Sequence, residues 1–196
     1  MSRWLAAAIL AFAAAAIAGQ ETGPWLTGQF LVASDEMSDP RFEQTVVYMV
    51  QHDEHGAMGL IVNRPMADVP LARILEPFGL DTAGVTGDMR VHIGGPVDVG
   101  RGFLLHTADY VDSSTRRIRD GIAMTADREI FDAIAHGRGP RRSLFALGYA
   151  GWAAGQLEGE IRRGSWITVP ADEALLFDKN SDRKWERAKA RQRIDL

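Results

Sequence analysis

The strongest strand pattern in the chain lies between Gln44 and Pro65. Thr45 to Val50 is an unbroken β-branched and aromatic run, Leu60 to Val62 is a second, and the polar stretch His52 to Gly56 separates them. This pattern predicts a β-hairpin with an exposed loop. Because the apolar residues run continuously instead of alternating, both faces of the pair should be covered by other elements.

Around this hairpin the hydrophobic period changes several times. Gln29 to Ala33 predicts a first strand, and Ser34 to Pro40 a polar loop. After Pro65 closes the hairpin, Leu71, Ile74, Leu75 and Phe78 fall at helical spacing, with Pro70 near the first turn and Gly79 as the stop. Asp81 to Asp88 reads as a surface loop, Arg90 to Ile93 as a strand ended by Gly94-Gly95-Pro96, and Phe103 to His106 as another strand. Thr115 to Ile118 and Ile122 to Met124 predict a second hairpin around Arg119-Asp120-Gly121. A helix follows, capped by Thr125 or Asp127, burying Ile130, Phe131 and Ile134, carrying His136 in its last turn and ending at Gly137. Ser143 to Leu147 is a buried-type strand, Gly148 to Gly155 a glycine-rich junction, Gln156 to Arg163 a helix, and Trp166 to Val169 the last strand. The tail, Asp172 to Phe177 and a charged helix from Ser181 to about Arg191, reads as too polar to be central.

Residues 1 to 18 stand apart. Arg3 and the α-amine precede an acid-free apolar run, and Ala16-Ile17-Ala18 is followed by Gly19, the layout of a secretory signal peptide. The run falls short of the about 20 residues that span a bilayer, so no stable membrane anchor is expected after cleavage. The expected organisation is a signal peptide at 1–18, a linker at 19–25 and one domain at 26–196. The expected location is the periplasm, with the cytoplasm as the alternative if the leader is not a signal. Cleavage would leave 21 basic against 26 acidic residues, a net charge of -5 in place of -4. That acidity, with a pI of about 5.7, argues against nucleic acid as a partner. The chain has no cysteine, which excludes disulfides, thiolate catalysis and cysteine-ligated zinc.

Few residue groups point to chemistry. His52 and His55, with Asp53 and Glu54 between them, are weak metal candidates, because their spacing does not bring two imidazoles to one face as a metalloprotease helix does. Gly94, Gly95 and the Gly100-Arg101-Gly102 turn resemble phosphate cradles only loosely, and Arg101 is either a carboxylate clamp or a ligand contact. No serine stands in a nucleophile elbow, and the basic groups Arg116, Arg117, Arg119 and Arg138, Arg141, Arg142 lack interleaved aromatics. Tyr149, Trp152 and Gln156, with Glu158 and Glu160, gather at the glycine-rich junction and can line a pocket or plug the core. Asn63, Arg64 and His106 complete the candidate ligand-binding set; no catalytic residue and no cofactor is expected.

Taken together, LTGQFLVA (26–33), DPRFEQTVVYM (39–49), GAMGLIVNRP (56–65), GGPV with RGFLLH (94–106) and ALGYAGWAAGQLEGEI (146–161) resemble the AlgH-like, or YqgE-like, family of bacterial proteins. The resemblance spans Leu26 to about Asp195. It implies an α+β fold: a barrel-like, partly split, mainly antiparallel β-sheet flanked by helices. It carries no reaction. Two features depart from the family pattern, the polar Ser34-Asp35-Glu36 after the first strand and the leader. The function expected is a non-enzymatic domain that binds a small molecule or protein and regulates. The alternatives are a transcription-linked cytoplasmic regulator and a metal-dependent hydrolase using His52, His55 and an acid.

Overall fold

In the computed structural model, residues 25–193 are described, Asp120 excepted. The expected leader, the linker up to residue 24 and the Asp120 of the second hairpin turn lie outside the described residues. Ten strands form one sheet in the order β10-β1-β2-β3-β9-β6-β8-β7, with two further strands on a branch. They are β1 (Gln29–Ala33), β2 (Val46–Asp53), β3 (Gly56–Ile61), β4 (Pro65–Pro70), β5 (Asp88–Ile93), β6 (Val97–Thr107), β7 (Arg116–Arg119), β8 (Ile122–Thr125), β9 (Ser143–Ala153) and β10 (Trp166–Pro170). Neighbours are antiparallel except β5 and β9, which pair in parallel. The expected α+β fold with a curled, mainly antiparallel sheet is what forms.

The split in the sheet falls on β9. One of its edges carries β5 along Phe145 to Leu147 and then β3 along Ala150 to Ala153, while β6 follows the other edge. At the junction the backbone of Gly94 donates to Leu147 O and accepts from Ile61 N. The crowding there requires glycine: a Cβ on Gly94 would lie 2.2 Å from Gly148 O, and one on Gly148, at φ +71°, 2.5 Å from Gly95 O.

The sheet curls around an inner cluster that includes Phe30, Tyr48, Val62, Leu105 and Leu144. At one end the curl almost closes, with Gly28 packed against the stem of Arg119. Two outer clusters lie on the convex side. One holds Leu31, Met49, Trp152 and Trp166 beneath α3 (Gln156–Arg162), and the other holds Leu104, Phe131 and Phe145 beneath α1 (Leu71–Leu75) and α2 (Glu129–Ala135). Continuous apolar runs in β1 and β2 are thus explained, since both faces of each strand are buried.

Four sequence expectations change. Residues 65–70, with a proline at each end, form β4, an exposed edge strand where missing amide donors are tolerated. β6 and β9 each run eleven residues, because glycines that were read as stops make bulges inside the strands instead. Neither Thr125 nor Asp127 caps α2; Arg128 precedes it without a side-chain cap. The tail is central rather than peripheral. α4 (Glu173–Leu176), capped by Asp172, and α5 (Lys184–Ala190) bring Leu175, Leu176 and Ala188 into the inner cluster. Lys184 is fully buried, its Nζ donating to Val62 O and Leu176 O at 2.9 Å each, and desolvation pulls its pKa down to about 8.

Candidate functional site

At the end of the barrel away from α5, the β2–β3 turn, β6, β7, β8 and β9 surround a cleft of about 440 Å³. Local backbone features aim its lining. Val50 faces inward in step with Val46 and Tyr48, and a bulge between Met49 and Gln51 then breaks the alternation, placing Gln51 opposite Met58 on the inner face as well. Gly148 does the same for β9: Ala146 faces inward, and after the left-handed turn so does Tyr149. The floor is made by Met58, Phe103, Met124 and Tyr149, with Tyr149 edge-on to Phe103 at 6.0 Å.

Two guanidiniums stand over this floor. Arg101 Cζ lies 5.2 Å from the Phe103 ring centre, a cation–π contact. Arg116 Nη1 donates to Gln51 Oε1 at 2.9 Å, and Gln51 Nε2 donates to Asp53 Oδ2 at 2.7 Å. Asp53 also accepts the His55 amide, and these bonds, that from Gln51 first, hold its carboxyl below the usual range. Among the described residues neither Arg101 nor Arg116 has an ion-pair partner. By contrast Arg138 pairs with Asp132, and Arg141 and Arg142 with Glu173. A second depression of about 450 Å³ lies beside β4 and β5, but there Arg90 is already held by Asp68 at 2.8 Å. The barrel mouth therefore offers the uncommitted charge.

The cleft gathers Arg101 and Tyr149 from the expected set, and Trp152 borders it while its ring packs in the outer cluster against Phe42 and Trp166. Gln156 sits beside it in a supporting role: its Oε1 accepts the Ala153 amide and its Nε2 donates to Glu160, whose other oxygen also accepts the indole N–H groups of Trp152 and Trp166. The others serve the fold. Asn63 bonds Val46 N and Gln44 O, and Arg64 bonds Arg41 O and Glu43 O, clamping the loop at the opposite end. Gly94 and Gly95 are pressed against β9 and leave no room for a phosphate. His106 is fully buried, with Nδ1 on Thr107 O and Nε2 on Thr125 Oγ1, and burial lowers its pKa.

The weak metal pair comes apart. His52 is not in a solvated loop but buried at the end of β2, where Nδ1 accepts the Leu26 amide and Nε2 donates to Glu158 at 3.0 Å. His55 remains exposed in the turn, and among the described residues no group of three or more His, Asp or Glu side chains could hold a metal. Residue chemistry alone missed Gln51, Met58, Phe103 and Met124, whose common feature is position around the mouth.

Comparison with known proteins places this architecture. The AlgH-like family model matches residues 30–196. The chain belongs to the AlgH-like family. A UPF0301 protein of Rhodospirillum rubrum is 46% identical over 171 residues, 87% of this chain and 89% of the relative. Another from Methylococcus capsulatus is 46% identical over 162 residues, 83% and 88% of the two chains. The AlgH protein of Pseudomonas aeruginosa, known in solution, superposes with a TM-score of 0.73 at 41% identity, covering 88% of this chain and 92% of that one. A Corynebacterium diphtheriae protein shares the fold with a TM-score of 0.64 at 23% identity over 84% and 85% of the two chains. The names of the two UPF0301 relatives and of AlgH state no reaction, so the geometry of the mouth is what bears on function.

Proposed function

We propose that this AlgH-like chain is a non-enzymatic binding domain that takes a small molecule in the barrel mouth and regulates through that binding. The observation that carries the reading is the pairing of an apolar floor with two guanidiniums that have no carboxylate partner among the described residues. Concave, partly apolar sites with few convergent polar groups are the usual form of small-molecule sites, and barrel mouths are a common place for them. The lining contains no Ser, Thr or Lys, and its one carboxylate, Asp53, accepts hydrogen bonds from Gln51 and the His55 amide and does not orient His55 or Tyr149 as a nucleophile's base would. Binding without turnover is the chemistry this lining supports.

Regulation follows physically from the relay Arg116–Gln51–Asp53, which links the edge strand β7 to the β2–β3 turn. A ligand that recruits Arg116 would draw on this link and change how the turn is presented to a partner. A metabolite screen by thermal shift tests the proposal. A ligand at a hundredfold excess over its Kd should stabilise the protein by about 2.7 kcal/mol, and its contacts should map to Tyr149 and Arg101. Turnover of a substrate that depends on mouth residues, or ligands mapping only to other surfaces, would overturn it.

A further inference from the structure

Resting on the binding reading, we infer that the ligand of the mouth is an amphipathic monoanion: a carboxylate carried on a flat, apolar or aromatic body. The charge count leads there first. Among the arginines and carboxylates of the lining, Arg101 and Arg116 against Asp53 leave one net positive charge. Asp53 makes no direct ion pair with either guanidinium among the described residues: Gln51 stands between it and Arg116, and its second oxygen accepts the His55 amide. Among the described residues nothing accepts from Arg116 Nη2 or Nε or from the Arg101 guanidinium. Planar N–H forks match a carboxylate edge-on, and two forks on one site favour a group with two acceptor oxygens.

The floor then narrows the body that carries this anion. Phe103 and Tyr149 meet edge to face and Met58 and Met124 flank them, which gives a platform with polarizable, adaptable sides. Such a surface gains by covering apolar area and offers little to a free inorganic ion. A phosphate dianion would carry two charges into a lining with one net positive, over a floor that cannot hydrate it. A cation would face both guanidiniums. A neutral apolar compound would leave both unpaired arginines unused.

The test uses 2-naphthoate, its neutral isostere 2-naphthamide, acetate and inorganic phosphate, with methionine-methyl NMR of the full chain as the readout. Met58 and Met124 lie in the mouth, and Met66 and Met89 elsewhere, so binding is localised as it is measured. The expected result is that 2-naphthoate shifts Met58 and Met124 but not Met66 or Met89. It should bind at least about tenfold more tightly than the amide or acetate, the scale of a charge-assisted hydrogen bond. Arg101→Gln and Arg116→Gln should each remove that preference, bringing acid and amide together while the methyl spectrum of the free protein stays folded. Equal binding of acid and amide by the wild-type chain overturns the carboxylate assignment and leaves the mouth standing as a site. Displacement of 2-naphthoate by equimolar phosphate also overturns it, in favour of a phosphate ligand. If neither naphthyl compound moves Met58 or Met124, both this inference and the binding reading on which it rests fail.

Discussion

The two ends of the barrel solve the same problem in opposite ways. Where β2 and β3 meet at Val46 and Val62, the chain fills the end itself: Leu175 and Leu176 enter the core and Lys184 is buried against two carbonyls. At the mouth, Arg101 and Arg116 stand over apolar residues with none of the described residues laid across them. A buried cation with only neutral acceptors costs stability and is tolerated because packing around it is extensive. An exposed cation over an aromatic ring costs little and stays available. The plugged end is thus where the molecule holds together, and the open end is where it is free to recruit something else.

That contrast can be broken first at the plugged end. Leu176→Ala deletes a side chain with no solvent exposure and should lower unfolding free energy by about 3 kcal/mol, measured by urea denaturation. A loss below 1 kcal/mol would mean the tail is an appendage after all.

Acid should act on the same end through His92, which is buried and whose pKa is lowered to about 4 by desolvation first, with Lys184 and Arg90 adding to it. The unfolded chain takes up this proton near the ordinary pKa of 6.5, so between about 6.5 and 4 it binds more protons than the folded chain. Stability should therefore be full above 6.5 and fall as the pH drops to 4, by on the order of 3 kcal/mol from this group. His92→Gln should flatten that part of the profile relative to wild type.

At basic pH the sign again follows from a lowered pKa. Folded Lys184 releases its proton near 8 while the unfolded lysine keeps its own to about 10.5. The lysine contribution should make stability rise with pH above 8, by about 2 kcal/mol up to pH 9.5. Measurement below pH 10 avoids Tyr110, whose pKa is pushed up to about 12 by burial and by Asp112. Lys184→Met should lose this rise.

The smallest effects belong to the open end. Arg101→Gln and Arg116→Gln should change unfolding free energy by no more than about 0.5 kcal/mol in the free protein, since exposed substitutions without ion pairs rarely do more. A large loss in either would make the guanidiniums structural and erase the distinction between the ends.

How much of this the sequence disclosed depended on the range of the interaction. The β2–β3 hairpin and the β7–β8 hairpin are local, set by strand runs and turn residues, and both were legible. β4 was not, because its two prolines and exposed side chains carry no strand period and only its pairing with β5 makes it one. Lys184 looked like a surface residue because its acceptors, Val62 O and Leu176 O, are supplied by the fold. The site divided in the same way. Arg101, Tyr149 and Trp152 were singled out by the glycines beside them, whereas Gln51 and Met58 reach the mouth through a bulge no local motif announces. Asn63, Arg64 and His106, also expected in the ligand-binding set, are each held by hydrogen bonds within the chain.

The position of β9 also sets a clock on assembly. β3, β5 and β6 all hydrogen-bond to this strand, yet it begins only at Ser143. At about 5–20 residues per second, the roughly 80 residues between β3 and β9 keep the earlier strands waiting for about 4–16 s of synthesis. During that interval β1, β2 and β3 have only one another as strand partners, and the β3 edge that β9 will pair stays open. Folding speed should accordingly be set by docking of this one late strand, as expected where distant contacts dominate. A nascent chain stalled before residue 143 should be the aggregation-prone species, and one extended past residue 153 the first able to join β3, β5 and β6 through β9.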